Sequence, residues 1–281
     1  MRTRRFGWTG NEVTVLGEGT WKMEGDDPDE VVAALQAGID AGMTHVDTAE
    51  LYGGGRVESQ LVARAIAGRR DRIFLVSKVM PGHASREGTV RACEASLRRL
   101  GTDHLDCYLL HWPGSHPLEE TLAGFEQLVR EGKIRSWGLS NFDVDELEEA
   151  LEIAGPRRIA CNQVLYHLRA RDIEDRVLPW CVEHDVALVG YSPFGSGDFP
   201  APASRGGKVL AEVARAHGAT PHQIALAFLI RDPHVFAIPK SARAERARQN
   251  AAAADVLLLP EETARIAEAF PLRRGRGLPT L

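Results

Sequence analysis

The feature that most restricts the fold of this sequence is a regular alternation of short apolar segments with longer segments of helical periodicity. The apolar segments are typical of buried strands, and eight of them lie near residues 16, 45, 75, 108, 137, 161, 189 and 237. Helices are predicted between them, and Asp27-Pro28-Asp29-Glu30 is one clear helix start, with a capping aspartate before a proline. Another helix is predicted over Glu58–Ala67. Strands that alternate with helices pair in parallel through right-handed crossovers.

Eight parallel strands are the number that closes a (β/α)8 barrel, and 281 residues is close to the roughly 250 of such a domain. We therefore predict an α/β protein with a single TIM barrel domain over residues 1–281. An N-terminal β-hairpin over residues 4–15 is expected to close the bottom, with Thr9-Gly10-Asn11 as its turn. An extra C-terminal helix is predicted over residues 260–270, and a flexible tail over 272–281. A doubly wound open sheet is the alternative, but no G-x-G-x-x-G follows the first strand.

The composition argues against several classes of protein. A net charge of −5 is unusual for a dedicated nucleic-acid-binding protein. No apolar run approaches the roughly 20 residues that span a bilayer, and none follows the basic start, so we expect neither a membrane segment nor a signal peptide. The four cysteines form no CxxC pair, which indicates buried thiols in the reducing cytoplasm. We expect the protein to be a monomer.

Polar side chains end six consecutive strands of the predicted barrel, from the second to the seventh. In such barrels the active site lies at the carboxyl ends of the strands. The residues at these ends are Asp47, Lys78, His111, Ser140 with Asn141, Gln163 and Tyr191. Each has an ordinary structural explanation by itself, such as a surface lysine or a hydrogen-bonded buried histidine. Six at one end of one barrel predict a binding or catalytic site.

The segment Thr44–Arg56 joins a strand that ends in Asp47 to a loop that carries Tyr52. In the simplest interpretation Asp47 caps the next helix and Tyr52 lines a wall. Alternatively, Tyr52 donates a proton, and because its ordinary pKa is about 10, a nearby cation such as Lys78 is needed to lower it. Asp47 then orients Lys78, while His111 donates to a substrate oxygen or shares the proton. Such a site protonates a carbonyl oxygen, and reduction further requires a hydride source.

Several stretches match a known family in order and at comparable spacing. They are LGEGTW, THVDTAELYG, VSK, YLLHWP, WGLSNF, NQVLYH, GYSPFG and IPKSARAERARQN. On these stretches the chain resembles the aldo-keto reductases along almost its whole length. That family has a (β/α)8 barrel and uses a nicotinamide cofactor without a Rossmann domain. The resemblance implies an NADPH-dependent oxidoreductase that reduces aldehydes or ketones to alcohols by hydride transfer, with Tyr52 as the proton donor.

The resemblance also implies roles for individual residues. The catalytic residues would be Asp47, Tyr52, Lys78 and His111. The residues expected to contact NADP(H) are Thr20, Trp21 and Asp47 near the nicotinamide, Ser140, Asn141 and Gln163 at its carboxamide, Tyr191 stacked on its ring, Ser192, Pro193, Phe194, Gly195 and Ser196 along the pyrophosphate, Lys240, Ser241 and Arg246 at the 2′-phosphate, and Gln249 and Asn250 at the adenine. The small carbonyl substrate would lie against Trp21, Tyr52, His111 and Trp112.

Three features depart from the family's pattern. Glu18 stands where the family usually has an apolar residue, and a carboxylate in the first strand needs a partner. Gln249 stands where a glutamate is common, which alters the adenine contact. The chain continues only briefly past Phe270, whereas many members carry a long C-terminal loop that shapes the pocket. We therefore expect an open pocket and broad specificity for small aldehydes.

Two functions from other classes compete with the reductase. A nucleotide-binding regulatory subunit of the same fold would bind the cofactor with little turnover, and the complete set of four catalytic residues argues against it. A lyase or isomerase would form a Schiff base on Lys78. That chemistry needs an unpaired lysine in an apolar pocket, and the nearby Asp47 argues against it.

The ten histidines show no HExxH or similar ligand spacing, so no structural or catalytic metal is expected. We predict that carbonyl reduction keeps its full rate after incubation with excess EDTA, because no step depends on a metal ion. The rate of NADPH oxidation before and after chelation is the measurement. Loss of activity that zinc or magnesium restores would contradict this prediction.

Overall fold

A computed structural model of the protein describes residues 1–272 and 277–281. The chain begins with an antiparallel hairpin in which β1 (Thr3–Arg5) pairs with β2 (Glu12–Thr14). Gly10 turns the chain between them with a φ of +75°. Phe6 is fully buried in the cluster that fills the barrel, and the backbone at Gly7 passes too close to the start of two strands to admit a side chain. The hairpin therefore plugs the bottom of the barrel, as predicted.

In the described part of the chain, eight parallel strands pair in sequence order from β3 to β10. They are β3 (Gly17–Gly19), β4 (His45–Asp47), β5 (Phe74–Val79), β6 (Leu105–Leu110), β7 (Ile134–Ser140), β8 (Ile159–Leu165), β9 (Ala187–Tyr191) and β10 (Val235–Ile238). The sheet closes where the amide of Ala237 donates to the carbonyl of Val15 at 3.0 Å, and the amide of Gly19 donates to the carbonyl of Pro239 at 3.2 Å. The predicted (β/α)8 barrel is confirmed, and the open sheet is not formed.

The helices surround this sheet. They are α1 (Pro28–Asp40), α2 (Ala63–Ile66), α3 (Arg86–Leu100), α4 (Leu118–Arg130), α5 (Val144–Ala154), α6 (Val177–Glu183), α7 (Arg205–Ala216), α8 (Pro221–Leu229), α9 (Ala244–Ala252) and α10 (Pro260–Ala269). Their starts follow the predicted caps: the carboxylate of Asp27 accepts from the amides of Asp29 and Glu30, both at 3.0 Å. These bonds satisfy backbone donors that the helix itself leaves unpaired. Helix α10 is the extra C-terminal helix that the sequence indicates.

The helix predicted over Glu58–Ala67 differs from the prediction. Residues Val57–Val62 form a π-helical turn, and only α2 after it is α-helical. Just before it, Gly53, Gly54 and Gly55 have φ values of +57°, +63° and +84°. A π turn holds one more residue than an α turn, and periodicity cannot distinguish the two over six residues. The widened turn directs Glu58 into the protein interior, where it is fully buried.

The prediction of a flexible tail over residues 272–281 falls partly on 273–276, which lie outside the described residues. Of the described end, Leu278 packs against the core and Leu281 lies on the wall of a cavity at the top of the barrel. Flexibility of the tail stays a prediction. Within the described residues, no helix combines the length and apolar character needed to cross a membrane.

Glu18 on β3 is fully buried, and within the described residues neither carboxylate oxygen has a hydrogen-bond partner. Its side chain lies against α1 at Gly38, where any added Cβ would stand 1.4 Å from Oε1. The sequence led us to expect a basic or hydrogen-bonding partner for Glu18. Instead, its side chain occupies the space that Gly38 leaves by having no side chain. Burial raises the pKa of Glu18 well above its ordinary 4.5, so the carboxyl group holds its proton.

We predict that Glu18→Gln raises stability increasingly as pH rises. An acid whose pKa is raised by folding contributes stability below the unfolded pKa of 4.5, and that contribution is lost as pH rises towards the folded pKa. The loss approaches about 1.4 kcal/mol per pH unit, and glutamine, which does not ionise, escapes it. Urea unfolding of both proteins between pH 5 and pH 8 measures the difference. A difference that stays constant over this range would contradict the prediction.

Candidate active site

The carboxyl ends of the strands surround a cavity of about 350 Å³. Most strand-end residues selected from the sequence line it: Asp47, His111, Ser140, Asn141, Gln163 and Tyr191. Lys78 lies beneath this wall and is fully buried. The cavity is also lined by residues expected to contact cofactor or substrate: Thr20, Trp21, Tyr52 and Trp112. The structure therefore brings the sequence-selected residues together at one end of the barrel.

Lys78 connects the buried groups of this site. Its Nζ donates to Asp47 Oδ1 at 2.5 Å and to the carbonyl of Thr48 at 2.8 Å, and lies 3.4 Å from Tyr52 Oη. Asp47 Oδ2 accepts from Gln163 Nε2 at 2.7 Å, so both carboxylate oxygens are occupied. Asp47 and Lys78 are 1% and 0% exposed. A fully paired lysine of this kind is unsuited to Schiff-base chemistry.

The pKa of Tyr52 is raised well above 10, first by burial and then by the charges of Asp47 and Glu24. The expectation of a lowered pKa for Tyr52 is therefore wrong in direction. The main physical reason is burial, which disfavours the charged phenolate. In addition, Asp47 lies closer to the ammonium group of Lys78 than the phenol does and offsets its charge. Tyr52 consequently holds its proton at every ordinary pH, which is the state that a proton donor needs.

His111 forms the other side of the pocket floor, with its ring edge-on to Tyr52 at 5.7 Å between ring centroids. Burial, assisted by the positive charge of Lys78, lowers the pKa of His111 to about 2. The ring is therefore neutral near pH 7 and donates through a single N–H. Of its two predicted roles, donation to a substrate oxygen fits this state, whereas sharing the proton as an imidazolium does not.

Amide and hydroxyl groups are linked into a network on the opposite wall. Tyr191 Oη donates to Asn141 Oδ1 at 2.9 Å, and Asn141 Nδ2 donates to the carbonyl of His111 at 3.1 Å and to Ser140 Oγ at 3.2 Å. Asn141 has a φ of +60°, a left-handed conformation that asparagine tolerates better than most residues. These bonds fix the orientation of groups that can recognise a carboxamide.

The loop that follows β9 lies along the cavity. Ser192, Pro193, Phe194 and Ser196 line the wall, whereas Gly195 does not and Gly197 takes its place there. Their contact with a pyrophosphate stays a prediction. Ser192 and Ser196 have positive φ values of 49° and 50°, which are unusual for serine. On the rim, Trp112 is 38% exposed, so the mouth offers apolar ring surface to an entering molecule.

A second cavity of about 520 Å³ adjoins the first, because Phe194 and Lys240 line both. Its wall contains every residue predicted for the adenosine end of the cofactor: Lys240, Ser241, Arg246, Gln249 and Asn250. The side chain of Gln249 is exposed and lies 3.3 Å from Glu245 on its own helix. Basic groups at the start of α9 make this cavity suited to an anionic group.

Sequence reasoning missed six residues that line the second cavity: Asp26, Thr220, His222, Gln223, Ala242 and Arg243. Asp26 forms an ion pair with Lys240 at 3.0 Å, although 214 positions separate them in the chain, and no local signal reveals such a contact. His222 stacks on Phe199 with 3.9 Å between ring centroids and 7° between ring planes. Its position directly after the Thr220-Pro221 helix start was the available signal.

Comparisons with known proteins show which family the chain resembles over its length. The sequence model described as the Aldo/keto reductase family matches residues 15–270. The chain is 42% identical over 280 residues to methylglyoxal reductase YeaE of Escherichia coli (strain K12), covering 98% of each chain. It is 33% identical over 263 residues to glyoxal reductase of Bacillus subtilis (strain 168), covering 92% of this chain and 89% of the relative.

A solved structure is similar over the whole chain. It is an aldo/keto reductase from Klebsiella pneumoniae in complex with NADP and acetate, with a TM-score of 0.94 and 45% sequence identity, covering 100% of this chain and 99% of the other. The similarity thus extends through the barrel and the loops above it, and is not confined to short motifs. The chain belongs to the aldo/keto reductase family.

Proposed function

We propose that the protein reduces small aldehydes and ketones to alcohols with NADPH, and that Tyr52 is the proton donor. The observation that carries the proposal is the buried lysine beneath the cavity. Its ammonium group lies 2.5 Å from Asp47 Oδ1 and 3.4 Å from Tyr52 Oη. This arrangement is suited to delivering a proton to an oxygen in the cavity and to stabilising the phenolate that remains.

The residues present fit NADP(H). The two cavities share Phe194 and Lys240 in their walls, with amide and hydroxyl groups in the first and cations in the second. Ser140, Asn141 and Gln163 would hold the carboxamide, and Tyr191 would stack on the nicotinamide ring. Lys240 and Arg246 would bind the 2′-phosphate beside the start of α9. The relative from Klebsiella pneumoniae, solved with NADP, supports the same assignment.

When bound, NADPH supplies the hydride. The protein's own residues manage the proton and the charge. His111, neutral at working pH, donates a hydrogen bond to the carbonyl oxygen as negative charge develops there. Tyr52 gives its proton to that oxygen, because an alkoxide is a stronger base than a phenolate. Lys78 then stabilises the phenolate, and a cation at 3.4 Å is worth about 5 kcal/mol at an effective dielectric of 20, from which Asp47 subtracts.

Substrate recognition in this pocket relies on apolar walls. Trp21, Trp112 and Leu51 line the cavity near the reacting groups. Such walls discriminate by only about 1–3 kcal/mol per methylene, so we propose a broad range of small carbonyl compounds. The names of the methylglyoxal and glyoxal reductases support small 2-oxoaldehydes among them. That the protein is a cytoplasmic monomer stays a prediction.

We expect Tyr52→Phe to lower kcat by several orders of magnitude while leaving the Kd of NADPH almost unchanged, since the hydroxyl acts in the transition state. Lys78→Met should lower kcat nearly as much. The two losses should not add in the double variant, because both disable one proton transfer. Steady-state kinetics with methylglyoxal and fluorescence titration with NADPH measure these effects. A Tyr52→Phe protein that retains most of its kcat would remove the basis of the proposal.

Cofactor choice is a separate expectation. NADPH should bind at least about tenfold more tightly than NADH, a difference of about 1.4 kcal/mol or more, because only NADPH gives Lys240 and Arg246 a phosphate partner. Arg246→Ala should erase most of this preference and leave the Kd of NADH nearly unchanged. Arg248→Ala is the matched control, since Arg248 is exposed on the same helix and is not part of the cavity wall. Equal dissociation constants for the two cofactors in the unmutated protein at low salt are the contrary result.

A further inference from the structure

We propose that Glu58 is a positioning residue for catalysis: its buried carboxylate clamps the strand that carries Lys78 to the loop that carries Tyr52. The inference rests on the proposed role of Tyr52 as proton donor. Glu58 lies outside the cavity wall, so it acts through other residues and not on the substrate.

The carboxylate of Glu58 is fully buried and paired on both oxygens. Oε1 accepts from Ser77 Oγ at 2.6 Å, and Oε2 accepts from Arg99 Nε at 2.6 Å. Arg99 also donates through its Nη2 to Ser96 Oγ at 2.9 Å. Three separate elements therefore meet at one buried charge: the π-helical turn, strand β5 and helix α3.

The strand side of this clamp ends next to the catalytic lysine. Ser77 and Lys78 are consecutive on β5, so their side chains point to opposite faces of the sheet. Lys78 reaches the pocket floor inside the barrel, while Ser77 reaches Glu58 on the outside. The hydrogen bond from Ser77 thus fixes the backbone of β5 one residue from the point where the lysine side chain starts.

The loop side of the clamp begins at the catalytic tyrosine. Three glycines with positive φ connect Tyr52 to the turn that carries Glu58. Gly55 lies directly under Arg99, where a Cβ would stand 2.7 Å from both Cδ and Nε of the arginine. Arg99 therefore lies across the loop and holds it against Glu58. Glycine is required here both for the left-handed backbone and for the space.

The π-helical turn places the carboxylate of Glu58 where it contacts both strand β5 and helix α3. A buried carboxylate is costly unless it is fully paired, and removing one partner of such a pair is strongly destabilising. A residue that only stabilised the fold could be replaced by an apolar one. A carboxylate that joins Ser77 and Arg99 instead sets the separation between Lys78 and Tyr52, now 3.4 Å. Errors of about 1 Å in such geometry can reduce a rate roughly 100-fold.

The test compares two clamp variants with a matched control, a carboxylate on β6 that also hydrogen-bonds to β5. Ser77→Ala removes one hydrogen bond to Glu58, and Glu58→Gln keeps its size but removes its charge. Asp106→Asn is the control, because Asp106 Oδ2 accepts from the amide of Leu75 and from Arg70, both at 2.8 Å, at the opposite end of β5. All three variants loosen β5, but only the first two do so beside Lys78.

The measured quantities are the hydride-transfer rate in a single turnover, the Kd of NADPH and the pH dependence of alcohol oxidation. We expect both clamp variants to lose about 10- to 100-fold in hydride transfer with an unchanged Kd. Their alcohol oxidation should also require higher pH, because a displaced Lys78 stabilises the Tyr52 phenolate less. Asp106→Asn should lose stability to urea and keep the rate and the pH dependence.

A folded Ser77→Ala protein with the unmutated hydride-transfer rate would overturn the proposal, even if Glu58→Gln failed to fold. An equal loss of rate in Asp106→Asn would also overturn it, because the effect would then reflect general loosening of the strand. Tyr52→Phe, measured alongside, separates this inference from the proposed function. If that variant stays active, the assignment of the proton donor fails. If it is inactive while the clamp variants are fully active, only the role of Glu58 fails.

Discussion

The structure of the site depends on one buried ion pair, between Lys78 on β5 and Asp47 on β4. Two charges removed from water in this way are stable only when their remaining hydrogen-bonding capacity is used. Here the backbone of Thr48 and the amide of Gln163 on β8 complete the arrangement. Strands β4, β5 and β8, which are separated in the sequence, must therefore end at the same level along the barrel axis. The arrangement of the pocket floor follows from this requirement.

Much of the barrel was accessible from the sequence because its signals are local. Strand and helix periodicities, and the caps at Asp27 and Thr220, each need only a few neighbouring residues. The failures concern contacts across the chain. Glu18 needed the space at Gly38, and the π-helical turn places Glu58 against Ser77 and not along an ordinary α-helix. Neither feature alters the apolar pattern from which the elements were predicted.

The same distinction applies to the site. Residues at strand ends were found because a parallel barrel brings them together at one face, whatever conformation the connecting loops adopt. Asp26 and His222 were missed because loop and helix packing, not strand order, brings them to the second cavity. The pKa of Tyr52 was predicted in the wrong direction because sequence reveals the charges but not the burial. Burial dominates this shift, and the nearest carboxylate adds to it.

The two cavities differ in the interactions that they offer a ligand. The groups around Lys78 are buried and hydrogen-bonded, so small displacements there affect the chemistry. At the adenosine end, Lys240 is 38% exposed and already pairs with Asp26, itself 41% exposed. Exposed ion pairs of this kind are worth roughly 0–1 kcal/mol. A dianionic phosphate beside Arg246 therefore competes with Asp26 for Lys240 at little cost. Selectivity for the cofactor can thus rest on surface charges, while the reaction rests on side chains that are largely buried.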